Sequence, residues 1–372
     1  MNELRIVHQF IELVQINSET TKEREIADYI LDKMKDLDLE VLEDDSYKDT
    51  QHEAGNIIGK LTGKNENADK IYFTAHMDTV TPGNNIQPQQ KDGYIMSDGS
   101  TILGADDKAG IAAIFETIHL LKEKDIEHGD IYFAIMSGEE SGLVGSRHFD
   151  KKHLPVDYGY ALDSDGTVGH IITSAPSQAK IYATITGKAA HAGVQPEKGV
   201  SAINITAKAI TKMSLGRIDE ETTANIGSFE GRGPTNVVCD EVLLVAEARS
   251  LSKAKLDTQV EMMTNALKET AEQMNGKAKV NVEYMYPAYH FSKEDKVVRN
   301  AMEAVTKIGR TPKLVKSGGG SDANHLSGKG IPTVNLAIGY ENIHTKHEKM
   351  PIEELLKIPE LMIEIIKQAI KK

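Results

Sequence analysis

The stretch IYFTAHMD, residues 71–78, places an unbroken apolar strand directly before His76 and Asp78. Two similar runs, IYFAIMSGEE (131–140) and YGYALDSD (158–165), also end in carboxylates. Near-continuous apolar strands that alternate with helices are typical of a mostly parallel sheet with both faces covered. Because such sheets place their sites beyond the carboxyl ends of the strands, we expect these polar side chains to meet at one edge.

The chain is long enough, at 372 residues, to form two domains. The order of elements predicted over 177–293 is β-α-β-β-α-β, which indicates an inserted ferredoxin-like α+β lid domain. We therefore predict an α/β fold with a mostly parallel-sheet catalytic domain formed by residues 1–176 and 294–372.

Two amphipathic helices are predicted at the start of the chain, at 3–16 and about 22–37. Thr20 and Glu23 have the spacing of a capping box, which predicts that Glu23 lies in the first turn of the second helix.

The chain carries 43 basic and 56 acidic residues, for a net charge of −13. This excess of acid argues against nucleic-acid binding, which depends on Lys and Arg neutralising phosphates. No apolar stretch approaches the roughly 20 residues of a membrane span, and the N-terminal residues do not resemble a signal peptide. Cys239 is the single cysteine, so we expect a cytoplasmic protein without disulfides or a membrane partner.

GADDKAG (104–110) places Asp106 and Asp107 where a helix is predicted to begin. Acids favour helix N-termini through the macrodipole alone, so an ordinary structural role is the alternative. The flanking glycines permit close approach, and one carboxylate can bridge two cations. We select Asp106 for that role.

Glu139 and Glu140 follow a predicted strand as adjacent acids. Such a pair is usually solvated charge, but beside cations one carboxylate can bind metal while the other takes a proton from water. Asp163 also follows a strand, where an Asx turn explains it equally well. Asp78 is placed to accept the other ring N–H of a metal-bound His76, with a strand-end histidine beside a turn aspartate as the structural alternative.

Several other chemistries lack their signatures. There is no HExxH, no Gly-x-Ser-x-Gly and no P-loop, although SGGGSDANHL (317–326) is rich in glycine. Cys239 has no obvious activating neighbour.

Five segments in order carry a family resemblance: TAHMDTV (74–80), ILGADDKAGI (102–111), GEE (138–140), ALD (161–163) and TKHE (345–348). With them the chain resembles the peptidase T family of dizinc exopeptidases, within the zinc aminoacylases and glutamate carboxypeptidases. The resemblance spans nearly the whole chain, including the lid insertion.

The resemblance implies two divalent metal ions per chain, Zn with Mn or Co as alternatives. It implies His76, Asp106 and Asp163 as ligands of one ion, and Asp106, Glu140 and His347 as ligands of the other. Asp106 would bridge the two ions, and the peptide bond after it would be cis.

The resemblance also assigns roles outside the ligand set. Glu139 would be the general base, and Asp78 would orient the first histidine ligand. In the lid, His191, Asn236 and Arg249 match substrate-binding positions, with a surface or hinge role as the alternative.

The implied activity is that of a metal-dependent aminopeptidase or tripeptidase acting on short peptides, and a homodimer through the lid is expected. The chain departs from peptidase T proper in two places that affect substrate selection. Only 30 positions (106 − 76) separate His76 from Asp106, fewer than in peptidase T proper, and Gly318 stands where peptidase T proper has an arginine. The alternatives are an N-acyl-amino-acid deacylase on the same scaffold and a non-catalytic metal-dependent binding module.

Overall fold

The computed structural model describes residues 3–370, without the side chain of Glu3, so the outermost residues of the predicted segments 1–176 and 294–372 lie outside the described residues. The helices within this range are α1 Glu3–Gln15, α2 Arg24–Asp36, α3 Ala105–Glu123, α4 Val144–His148, α5 Ala202–Ile210, α6 Lys253–Gln273, α7 Lys296–Lys307, α8 Asp322–Gly328 and α9 Ile352–Ile370. The strands of the first half are β1 Glu40–Glu43, β2 Ile57–Leu61, β3 Ile71–His76, β4 Gln89–Lys91, β5 Tyr94–Met96, β6 Ile131–Met136, β7 Tyr158–Ser164 and β8 His170–Ala175. The remaining strands are β9 Ser177–Thr186, β10 Gly216–Arg217, β11 Thr222–Glu230, β12 Glu241–Ser250, β13 Lys277–Tyr286, β14 Tyr289–His290, β15 Lys313–Lys316, β16 Thr333–Ala337 and β17 Lys349–Pro351.

The first of two compact units contains the described residues up to Ser174, His290–Ser317 and the segment from Ser321 onward. Its main sheet has the order β1-β2-β6-β3-β7-β16-β8-β14, with β15 paired to β8. The central neighbours β6, β3, β7 and β16 run parallel, whereas β1 and β2 are antiparallel additions at one edge. Parallel neighbours end at the same edge of a sheet, so this topology brings the ends of β3, β6 and β7 together.

Both faces of this sheet are covered, which explains why its central strands are continuously apolar. Every residue of β3 and β6 is buried. Phe73 belongs to the large core that includes Ile114 of α3, while its neighbour Tyr72 packs on the other face with Leu326 of α8. Full burial of one such aromatic side chain contributes about 1.5–3 kcal/mol, so the two layers hold the strand ends firmly. The predicted α/β fold with a mostly parallel sheet is confirmed.

The second compact unit contains Ala175–Tyr289 and Gly318–Gly320. Its sheet has the order β10-β11-β12-β9-β13 and is antiparallel throughout. Helices α5 and α6 pack on one face, against residues such as Ile181 and Ile185 of β9, while Tyr182 between them is exposed. The chain order β9-α5-β11-β12-α6-β13 is that of the predicted ferredoxin-like insertion.

The boundaries of the second unit differ slightly from the predicted 177–293. It begins two residues earlier (177 − 175) and ends four residues earlier (293 − 289), and it includes Gly318–Gly320 from a distant part of the sequence. A side chain at Gly320 would collide with the ring of Tyr286, so a residue without Cβ lets this segment approach β13.

The predicted capping box at the start of α2 is wrong. Glu23 is itself the N-cap of α2 and makes no side-chain capping hydrogen bond. Its carboxylate instead contacts His52. Within residues 3–370, no helix combines the length and apolar character that crossing a membrane requires.

Candidate metal centre

His76, the last residue of β3, is almost completely buried, at 1% exposure. Its Nδ1 lies 2.9 Å from the main-chain oxygen of Asp78 and 3.4 Å from Asp78 Oδ1. A carbonyl oxygen can only accept, so Nδ1 carries the proton and donates to it. The Nε2 lone pair of a neutral His76 is then free to bind metal, and the main chain of Asp78 holds the ring.

Two groups of potential ligand atoms meet at Asp106. Asp106 Oδ1 lies 3.0 Å from His76 Nε2, which lies 3.8 Å from Asp163 Oδ1. Asp106 Oδ2 lies 3.2 Å from His344 Nε2, which lies 3.0 Å from Glu140 Oε1. Two ligand atoms that each lie about 2.0–2.2 Å from a shared ion are separated from each other by distances similar to those between the atoms of each group. The two groups could therefore each hold a divalent ion.

The structure corrects the histidine of the second group. His344, not His347, contacts Asp106 and Glu140. His344 has a left-handed backbone, with φ of 60°, that directs its side chain toward the acids. His347 is exposed, and its carbonyl accepts a hydrogen bond from Asn342 Nδ2 at 3.4 Å. The two histidines occupy one loop three residues apart, so spacing along the chain could not distinguish them.

Asp107 is fully buried, and both of its carboxylate oxygens accept main-chain hydrogen bonds. Oδ2 accepts from the N–H of His76 at 3.1 Å, and Oδ1 accepts from the N–H of Gly110 at 3.3 Å. Asp107 also groups closely with His76 and Asp163 as a potential ligand, which the sequence prediction missed. The Asp106–Asp107 peptide bond is cis, as the resemblance implies.

The turn after β6 presents Glu139 and Glu140 differently. Asp78 holds this turn, since its two carboxylate oxygens accept the N–H of Glu139 at 3.0 Å and of Glu140 at 3.1 Å. The Glu140 carboxylate contacts His344. Within residues 3–370, the Glu139 carboxylate has neither a hydrogen-bond nor an ion-pair partner. One acid of the pair is therefore committed to the ligand group and the other is free.

The electrostatics of the cluster favour a bound cation. Burial, followed by the negative charge of Asp163, raises the pKa of Glu139 well above its ordinary value. Burial also raises the pKa of Asp163, with Asp106 adding to the effect. Burial acts to raise the pKa of Asp106 too, but its close contacts with His344 and His76 bring it below its ordinary value. The hydrogen bonds of His344 with Asp106 and Glu140 raise the pKa of His344 to about 10. Carboxylates crowded in this way are a donor set that a divalent ion would neutralise.

Glu348 is a buried residue of the centre that the sequence prediction did not single out. Its Oε2 accepts the N–H groups of Leu103 and Gly104, each at 2.8 Å, and its Oε1 accepts the N–H of Asp106 at 3.0 Å. One carboxylate thus fastens the His344 loop to the segment that carries the shared Asp106. The motif TKHE contained this residue, but nothing in its spacing indicated its partners.

Asp163 is held from two sides. Its N–H donates to Asn335 Oδ1 at 2.9 Å, and the hydroxyl of Tyr340 donates to its Oδ1 at 3.0 Å. Both partners come from β16 or the segment after it, so the pairing of β16 with β7 positions this carboxylate.

The three predicted substrate-binding residues lie in the second unit. His191 and Asn236 are exposed and adjacent, since the N–H of the residue after His191 donates to the main-chain oxygen of Asn236 at 2.9 Å. Arg249 on β12 is half-buried, and its Nε and Nη2 donate to the Glu247 carboxylate at 2.9 and 3.2 Å. Their roles in binding substrate stay predictions.

Comparison with known proteins identifies the class. Residues 72–368 match the profile of Peptidase family M20/M25/M40, so the chain belongs to this family of peptidases, which act on peptide bonds. Among solved structures, aminopeptidase PepT from Bacillus cereus is 58% identical with a TM-score of 0.94, and a tripeptidase from Staphylococcus aureus is 46% identical with a TM-score of 0.97. Each comparison covers 100% of both chains. Peptidase T from Fusobacterium nucleatum is 32% identical over 281 residues, which cover 73% of this chain and 66% of that protein. The peptidase T-like resemblance is therefore confirmed.

Proposed function

We propose that this chain is an aminopeptidase of short peptides, tripeptides among them, that works at a centre of two divalent ions. The observation that carries the proposal is the division of Asp106 between two ligand groups, beside Glu139, whose carboxylate has no partner within residues 3–370. The similarity to an aminopeptidase and a tripeptidase over the full chain supports the same substrate class.

The proposed ligands are His76, Asp106 and Asp163 for one ion, and Asp106, Glu140 and His344 for the other. Zn is the proposed metal, with Mn and Co as alternatives. Bound divalent ions supply Lewis-acid chemistry, because they polarise a carbonyl and make water acidic enough to react near pH 7.

Glu139 is the proposed general base. It takes the proton that water releases as it attacks the peptide carbonyl, and it then delivers that proton to the leaving amine. The environment of its carboxylate supports this double role, because within residues 3–370 no hydrogen bond or ion pair has to be broken when it takes up and releases the proton. Asp78 keeps the base in place through the N–H groups of the turn.

The second unit is the proposed source of substrate contacts. His191 would donate to the carbonyl oxygen as negative charge develops on it, while Asn236 and Arg249 would bind the peptide. Tyr182 and Leu243, which are 37% and 48% exposed on the sheet of this unit, are consistent with the expected homodimer. A cytoplasmic location is part of the proposal.

A panel of substrates tests the proposal. Protein loaded with Zn, Mn or Co is incubated with tripeptides, dipeptides, an N-acetylated tripeptide and N-acylated amino acids, and the products are identified by mass spectrometry. We expect release of the N-terminal residue from tripeptides and no cleavage once the amino group is blocked. A chelator should abolish the activity, and added metal should restore it.

Other outcomes would reject the proposal. Cleavage of N-acylated amino acids alone would establish the deacylase alternative. A metal-loaded protein that hydrolyses none of these amides would favour the binding module. Removal of the C-terminal residue would refute aminopeptidase activity while leaving the metal chemistry in place.

A further inference from the structure

A chain of three side chains, two of them buried, supports the turn of Glu139 and Glu140 from outside the ligand set. His52 Nδ1 lies 2.6 Å from Glu23 Oε1, and His52 Nε2 lies 3.1 Å from Ser141 Oγ. Glu23 is completely buried and His52 is 8% exposed. The chain thus extends from the start of α2 to the residue that directly follows Glu140.

The hydrogen bonds of this chain define which atoms donate. The Ser141 hydroxyl donates to the main-chain oxygen of Gly138 at 3.1 Å, so its oxygen is the acceptor for His52 Nε2. A carboxylate accepts, so His52 Nδ1 must donate to Glu23. Both ring nitrogens of His52 thus face oxygen atoms that can accept, an arrangement that suits an imidazolium. Burial alone would lower the pKa of His52, but the Glu23 carboxylate reverses this and leaves the pKa raised.

The ring of His52 also packs directly against the turn. Gly138 has a left-handed backbone with φ of 60°, and a Cβ at this position would collide with the His52 ring. Glycine therefore serves two purposes here, because it permits the positive φ and leaves space for the imidazole.

A carboxylate, a histidine and a serine in sequence also resemble the triad of a nucleophilic hydrolase, but the turn argues against that use. The Ser141 proton is directed to Gly138 O rather than to the imidazole. The N–H groups of Gly142 and Leu143, which could otherwise stabilise an oxyanion, both donate to the main-chain oxygen of Glu139.

We infer that His52, held in place by Glu23, is a positioning residue that sets the conformation of the Gly138–Ser141 turn and thereby places Glu139 and Glu140. The inference rests on the proposed function, since it assigns the base and one ligand to this turn. Neither Glu23 nor His52 touches the ligand atoms; their effect passes through Ser141 and Gly138.

Three variants test the inference. Ser141→Ala, at an exposed position, removes the acceptor for His52 Nε2 together with the donor to Gly138 O, and His52→Gln removes the imidazole and one of its two hydrogen bonds. His128→Gln is the matched control, because His128 is half-buried with one hydrogen bond to its own neighbour and precedes β6 rather than following it. Each protein is measured for kcat and KM on a tripeptide at saturating Co²⁺, for the visible absorption of bound Co²⁺, and for thermal stability.

We expect His52→Gln and Ser141→Ala each to lower kcat by about 10–100-fold, the usual effect of losing an outer partner of a metal site. KM should change little, the Co²⁺ spectrum should shift because Glu140 is displaced, and His128→Gln should match the wild type in both respects.

Wild-type kcat and an unchanged Co²⁺ spectrum in a folded His52→Gln would overturn the inference, and Ser141→Ala decides the matter in the same way if His52→Gln fails to fold. If the wild type binds Co²⁺ but cleaves no peptide, the proposed function fails, and the spectra of the variants still decide the positioning role. A wild type that binds no Co²⁺ would overturn both.

Discussion

Asp106–Asp107 and Glu139–Glu140 are both pairs of adjacent acids at the edge of one sheet, yet their members have different environments. Asp106 and Glu140 both contact His344. Of the remaining two, Asp107 accepts two main-chain hydrogen bonds, whereas the Glu139 carboxylate has no partner within residues 3–370. Equal charge and adjacency therefore do not give equal roles, because the surrounding hydrogen bonds determine which carboxylate is free to react.

The two pairs also differ in how the chain holds them. Glu348 fixes the first pair by binding the N–H of Asp106, and the regular part of α3 follows directly. The second pair lies on a turn that Asp78 and Ser141 attach to other parts of the unit. Side chains thus support both pairs, but the first lies where a helix begins and the second lies on a turn.

The strongest test of the comparison removes the charge of the free acid. Glu139→Gln should lower kcat by about 10²–10⁴-fold, the contribution of a general base, because the amide cannot take a proton. Both metals should remain, since Glu139 belongs to neither ligand group. Metal content and Co²⁺ absorption are the controls, and normal turnover would reject the base assignment.

The next test asks which histidine binds metal together with Asp106 of the first pair and Glu140 of the second. His344→Ala should weaken binding of one metal by roughly 100-fold or more, beyond the effect of losing an outer partner. His347→Ala, three residues away in the same loop, should bind metal as the wild type does. Titration against a competing chelator measures both affinities, and the reverse pattern would restore the original prediction of His347.

A smaller effect is expected from the support of the first pair. Glu348→Ala leaves three buried N–H groups without an acceptor, at about 1–3 kcal/mol each, and should weaken metal binding by about 10–100-fold. Glu348→Gln retains an acceptor oxygen and should lose less. The same chelator titration applies, and equal losses in the two variants would show that charge rather than hydrogen bonding is what matters.

The smallest predicted effect concerns pH. Burial raises the pKa of Glu348 to about 7, from an ordinary value of 4.5. A raised carboxyl pKa contributes stability below the unfolded-state pKa, and that contribution is lost as the pH rises through about 7. Between pH 6 and pH 8, the metal-free wild type should therefore lose about 1 kcal/mol of unfolding free energy relative to Glu348→Gln. Urea unfolding in the presence of chelator measures this difference; identical pH dependence in the two proteins would contradict it.

Much of the fold was predictable because its signals are local. The apolar run before His76 is continuous since Tyr72 and Phe73 are buried on opposite faces of the sheet. In the second unit, the alternation of Ile181 and Tyr182 is that of a sheet covered on one face. The capping box at Glu23 is not formed because α2 begins later than predicted, with Glu23 itself as the N-cap. Its Oε1 accepts the N–H of Thr21 and contacts His52.

The residue types of the site were predictable from the sequence, whereas the role of each individual residue was less so. Asp106, Glu140 and His76 do form a close group of potential ligands. The resemblance implies His347, whereas His344 makes the contacts. The sequence does not indicate the structural roles of Glu348 and His52. No local pattern distinguishes these cases, since each depends on which distant atoms a side chain reaches.

By itself, the sequence determined that polar, metal-binding residue types follow buried parallel strands, because strand periodicity and residue chemistry are properties of short segments. The tertiary structure decided which histidine faces Asp106 and which glutamate stays unpartnered. The deciding hydrogen bonds join residues as far apart as 61 positions, for Asp78 and Glu139, and 242 positions, for Glu348 and Asp106. Such contacts exist only after the sheet has brought the strand ends together.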